Sequence, residues 1–236
     1  MVSLWVGMMR LVRTTALVFG VVAALSIGTA RAGVVISTGL VGGSGDVENV
    51  LFNDPGLTLT GFTIEGITNQ TATIIEFSGA ESLSGLSGGG QSRIEDTAGN
   101  GFNFLFYEVQ SGQGIDGFVK TQFNIDAASD GEVIITANIF GGGSVQQIFN
   151  LSGNGQNFFT LLANSGDLIS RVTIDTNDVQ ITSILMNDVQ QVRVGGFGGP
   201  DAPPPPNGLP EPATLGLLGL GLVGLGLTRF RRSRAS

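Results

Sequence analysis

Apolar and polar residues alternate with a period of two through most of the middle of the chain. In Leu57-Thr58-Leu59-Thr60 the leucines fall on one side of an extended segment and the threonines on the other. Phe102-Asn-Phe-Leu-Phe106 puts three phenylalanines on a common face, and Val119-Lys-Thr-Gln-Phe-Asn-Ile125 alternates apolar and Thr positions with polar ones. The pattern recurs over 71–77, 132–140, 145–151, 168–175, 179–185 and 189–194, and each segment is predicted to be a strand. Turn-forming clusters stand between them: Asn53-Asp-Pro-Gly56, Ser87-Gly-Gly-Gly90, Ala98-Gly-Asn-Gly101, Asp130-Gly131, Gly141-Gly-Gly143 and Gly153-Asn-Gly155. No stretch of the middle sustains a helical period. About ten short strands predict an all-β domain over 33–198, an antiparallel β-sandwich of jelly-roll type.

Two apolar runs break this pattern. At the front, Arg10 and Arg13 precede the apolar Thr14 to Gly28, and Ala30-Arg31-Ala32 is a small-x-small site. Residues 1–32 therefore read as a signal peptide whose cleavage site is marked by Ala30 and Ala32, so that the mature chain begins at Gly33, with the Sec translocon and signal peptidase as partners. At the back, 199–209 is a Pro/Gly-rich linker whose four consecutive prolines favour polyproline II. Pro210, Glu211 and Pro212 follow, then a transmembrane helix predicted over 213–228 and a basic tail, 229–236. At the usual rise the helix covers about 24 Å, somewhat under the hydrocarbon thickness. Arg229, Arg231, Arg232 and Arg234 form a stop-transfer cluster that belongs on the cytoplasmic side, which leaves the β domain outside.

Pro-Glu-Pro, a Gly/Leu-rich helix and an Arg-rich terminus, in that order over 210–236, resemble the PEP-CTERM sorting signal of Gram-negative bacteria. The same segment is also known as an ice-binding protein C-terminal domain. The resemblance implies recognition and cleavage by a membrane-embedded exosortase, and transient residence in the inner membrane. It also implies a final place at the cell surface or in the extracellular matrix, in company with exopolysaccharide and biofilm. More loosely, 45–51, 153–159 and 187–193 resemble ectodomain segments of other PEP-CTERM proteins, and the last is similar to the final strand of bacterial lectin-like jelly rolls. No catalytic motif comes with that resemblance.

Charge and composition narrow the chemistry. Seven of the 11 basic residues lie in the two ends, so residues 33–209 hold 18 acidic and 4 basic side chains, a net charge of −14. That balance disfavours nucleic acid as a partner. With no His and no Cys, a Ser/His/Asp triad, a Cys/His pair, a thiolate or imidazole zinc site and a disulfide are all excluded. The β domain reads as non-enzymatic, structural or adhesive. A carbohydrate- or Ca²⁺-dependent binding module is the alternative, and a secreted hydrolase stands behind it. The hydrolase would need two facing carboxylates. Glu65, Glu76, Glu95, Asp96 and Glu108 are available, but they read as solvent-facing acids. No cofactor is implied beyond Ca²⁺, which suits an oxygen-only ligand set, with Asp126, Asp130 and Glu132 around a turn glycine as candidate ligands. For extracellular polysaccharide, Trp5 lies in the signal, which leaves Tyr107 as the aromatic candidate. Phe102, Phe104 and Phe106 read as core. Thr58, Thr60, Thr63, Thr71 and Thr73 lack the fixed repeat of an ice-binding face.

Overall fold

The computed structural model describes residues 33–202 except 44, 89, 90 and 165. Its first half holds β1 (Val34–Thr38), β2 (Glu48–Leu51), β3 (Thr60–Thr68), β4 (Ile74–Gly88), β5 (Gln91–Asp96) and β6 (Phe104–Val109). The second half holds β7 (Gly117–Ala127), β8 (Gly131–Ile139), β9 (Ser144–Leu151), β10 (Asn157–Ala163), β11 (Ile169–Asp175) and β12 (Met186–Gly198). Every described element is a strand, and none of these residues forms a helix long and apolar enough to cross a membrane. Ala30, Ala32, Pro210, Glu211, Pro212, Arg229, Arg231, Arg232 and Arg234 lie outside the described residues.

All strand pairings are antiparallel, in the order β1-β10-β7-β12-β2-β3-β4-β6-β11-β8-β9, with β5 bridging β12 and β4. The sheet closes on itself where Ile169 of β11 pairs with Phe118 of β7. The all-β, antiparallel expectation holds, but the architecture is one barrel-like closed sheet. Closure follows from two long strands that change partners along their length. In β4, 75–79 pairs with β6 and 83–88 pairs with β5. β12 runs along β7 on one side while β5 and then β2 take its other side. Register shifts in β12, with Gln191 at a φ of 52°, bend the strand enough to serve both.

Two segments depart from the alternation pattern. The strand predicted over 57–60 begins only at Thr60 and continues to Thr68. Residues 179–185 form a loop and not a strand: Asp175 Oδ1 accepts from the Asn177 N–H and Asp178 Oδ1 from the Gln180 N–H, both at 2.8 Å. These side-chain turns take the backbone out of the ladder, and Val179 is left fully exposed.

The inward positions build one core threaded by aromatic rings. Phe52 meets Phe77, Phe77 meets Tyr107, and Tyr107 meets both Phe118 and Phe123. Phe123 meets Phe159, which meets Phe149 of β9. Not every acid faces solvent. Glu48 is buried and accepts from the Gln70 and Thr71 N–H groups and the Thr71 hydroxyl, tying β2 to the turn after β3. Asp96 is buried as well, and accepts from the Asn100 N–H.

A Gly-rich strap, residues 39–43 with 45 and 46, crosses the outer side of β7 and β10. Lys120, 3% exposed, donates to the Gly43 carbonyl at 2.9 Å and to Asp46 Oδ1 at 2.8 Å. Gln122 Nε2 donates to the Gly43 carbonyl, and the Thr160 hydroxyl donates to that of Gly39 while accepting from the Val41 N–H.

Candidate ligand-binding face

β6 sets the frame of the first polar face. Phe102 points inward, bridged to Met186, but the chain bends at Asn103, whose carbonyl accepts from the Thr176 N–H. The alternation restarts there in the other frame. Leu105 and Tyr107 are buried, while Phe104, Phe106 and Glu108 point outward, half-buried. The expectation that Phe104 and Phe106 are core is thereby corrected. The charged Glu108 was the signal that marked the outward frame.

Cross-strand partners share a face, so the registers can be read as rows. One row runs Glu65, Glu76, Glu108, Arg171, Asn138, Ser144 across β3, β4, β6, β11, β8 and β9. The next runs Thr63, Ser78, Phe106, Thr173, Thr136, Gln146. Arg171 is fixed from two sides. Its Nε and Nη2 donate to the two oxygens of Glu108, each at 2.9 Å, and its guanidinium lies 4.4 Å from the centroid of the Phe106 ring. A bidentate fork on an aromatic plane is a rigid, planar hydrogen-bonding unit. Glu65 accepts from Gln110 Nε2 and the Thr58 N–H.

A second polar face lies across β5, β12 and β7. Glu95, Asp188 and Asp126 are directly opposed in one row, and Arg93, Gln190 and Asn124 in the next. Arg93 bonds Glu95 at 3.3 Å. Asp188 Oδ2 accepts from Gln190 Nε2 at 3.0 Å. Burial raises the Asp188 carboxyl above the ordinary aspartate range, against the Gln190 hydrogen bond, and Asp126 adds to the rise. A groove of about 470 Å³ opens beside this row, lined by Ser87, Gln91, Arg93 and Gln190 among others.

The three proposed Ca²⁺ ligands are divided. Asp130 and Glu132 line a groove of about 640 Å³ with Asn150, Ser152, Asn157 and Thr182. There Asp130 accepts from the Gly153 N–H and Glu132 from the Thr182 N–H. Asp126 sits instead beside Asp188. Among the described residues no three acidic side chains are gathered as a metal-binding group. Tyr107, the aromatic candidate for a sugar, is wholly buried, and burial pushes its phenol well above the ordinary value despite its hydrogen bond with Thr121.

Fold and surface define an acidic, all-β domain with two polar sheet faces. Residues 209–232 match the family model of the PEP-CTERM protein-sorting motif, so the chain carries an export-sorting signal at that position. No curated protein matches the chain. Two solved variants of CBM29-2, a family 29 carbohydrate-binding module, align at a TM-score of 0.30 with 10% and 12% identity. The alignments cover 71% and 74% of this chain and 93% and 99% of those chains. At that score neither strand order nor ligand carries over.

Proposed function

We propose that this is an exported surface or extracellular-matrix protein. Its PEP-CTERM motif delivers it to an exosortase-type membrane protease, and its β domain is a structural or adhesive module set among exopolysaccharide in a biofilm. The sorting motif at 209–232 carries this reading. A leading signal peptide handled by Sec and signal peptidase completes the route. The strongly acidic middle suits a soluble domain outside the cell. We read the domain as working without catalysis; in the Glu65–Glu76–Glu108 row, Glu65 and Glu108 are held by Gln110, the Thr58 N–H and Arg171. Replacing Pro210, Glu211 and Pro212 together with alanine is expected to abolish C-terminal processing and leave the protein in the membrane fraction. An unchanged mature C-terminus by mass spectrometry, with unchanged location, overturns the sorting reading.

The Arg171 fork favours a second reading, a binding module for polysaccharide. Glu76, the Arg171 guanidinium and Asn138 share one row across β4, β6, β11 and β8, with Thr136 in the next row on the same face, and together they offer the donors and acceptors that sugar hydroxyls need. A glycan array is the direct test. Arg171→Ala is expected to weaken any signal at least about tenfold, the loss of a charge-assisted hydrogen bond. No signal from the unsubstituted chain leaves only the structural role.

A further inference from the structure

Three oxygens on the β12–β7 face are buried without a hydrogen-bond partner, Gln122 Oε1, Asn124 Oδ1 and Asp188 Oδ1; Gln122 is held by its amide nitrogen to the Gly-rich strap, and the other two belong to residues beside Asp126. Asp188 is 6% exposed and Asn124 2%. Both point to the outer side of the sheet, since the alternating positions Phe123, Ile125 and Val189 fill the core. Asp126 lies directly opposite Asp188 and two residues along β7 from Asn124. A buried acceptor left unpaired is costly. Like charges directly opposed across strands are also unfavourable, and Glu95, Asp188 and Asp126 place three carboxylates in one row against the single cation Arg93.

We propose that Asp126, Asp188 and Asn124 form a Ca²⁺ site on the outer face of β7 and β12. One divalent cation answers both anomalies, since it neutralises the opposed carboxylates and gives the unpaired amide and carboxylate oxygens a partner. A neutral sugar would supply donors and leave the charges facing each other. The set needs no third acid: two carboxylates, an amide oxygen and water fill the mixed oxygen shell that Ca²⁺ accepts, whereas Mg²⁺ requires a tighter octahedron. Gln190, which braces Asp188, and Asn187, which donates to Asp126 Oδ2 at 3.4 Å, orient the two acids. The groove beside Arg93 and Gln190 lies next to this row without being lined by the three ligands, and the half-buried Asp126 is the member of the set that meets solvent.

The probe is Ca²⁺ itself, at up to about 10 mM to cover extracellular affinities, added to the full chain freed of metal with EDTA. Melting is followed by circular dichroism and binding by calorimetry. At ten times Kd the melting temperature is expected to rise by about 3–6 °C, with Mg²⁺ much less effective. Asp188→Asn and Asp126→Asn are each expected to remove the rise while melting in EDTA no lower than the parent. Asp130→Asn is expected to keep it. If Asp188→Asn does not fold, the half-buried Asp126→Asn decides alone. No rise and no heat in the parent overturn the site. So does a rise that survives Asp126→Asn, and one that disappears in Asp130→Asn moves the ion to the Asp130–Glu132 groove.

Discussion

Tyr107→Ala is expected to cost about 3–5 kcal/mol of stability, the range for removing a fully buried aromatic side chain. Tyr107 is wholly buried, and its ring touches Phe77, Phe118 and Phe123, so it joins β4, β6 and β7 in one packing unit. No neighbour on a closed sheet collapses easily into the space. For a domain of this size the loss corresponds to roughly 6–20 °C in melting temperature, measured by circular dichroism, and it consumes a large part of the ordinary stability of a single domain. Tyr107→Phe separates packing from the hydroxyl. The Thr121 hydroxyl already donates to the Arg193 carbonyl at 2.9 Å, so the phenol must be the donor in the 2.7 Å bond between Tyr107 and Thr121. Phenylalanine at 107 keeps the ring contacts and removes only that donor, and about 1 kcal/mol is expected. Equal losses in the two variants would show that the hydrogen bond, and not the ring, holds the core.

Gly195→Ala is the second large effect. A Cβ at 195 would overlap the Asp46 carbonyl oxygen and lie 2.9 Å from Val47 Cα. Both are backbone atoms, so no side chain can swing aside. The strap before β2 would have to lift from β12, and with it the Asp46 partner of Lys120. About 3 kcal/mol is expected, the upper end for overpacking. Gly88→Ala, where nothing lies within 4 Å of the added carbon, is the matched control and should stay within about 0.5 kcal/mol of the parent. A Gly195→Ala protein as stable as that control would mean the strap is not packed against β12.

The sequence was most informative where one residue type settled the frame. On β7 the alternation of Lys120, Gln122 and Asn124 with Thr121, Phe123 and Ile125 divides the outer from the inner side as the structure does. Pattern alone does not show that the outward residues are themselves covered, because the strap over them comes from about 80 residues earlier in the chain. On β6, four consecutive apolar residues, Phe104 to Tyr107, fit either frame, and a bend at Asn103 sets the one adopted. Over 179–185 the periodicity was real but lost to two aspartate side-chain turns. Asp126 was visible as an acid near a turn. Asp188, its cross-strand neighbour, lies 62 positions away, and only the β12–β7 register brings the two together.

β12 is the last strand of the domain and pairs with three others, β7, β5 and β2. Order of synthesis thereby becomes order of folding. Until residues 186–198 have emerged, β7 lacks one neighbour, β5 and β2 each lack a partner, and the ring stays open. On the export route proposed above, with the N-terminus leading, the ring therefore stays unclosed until β12 has emerged. Only the 199–209 linker then separates the closing strand from the Pro-Glu-Pro segment.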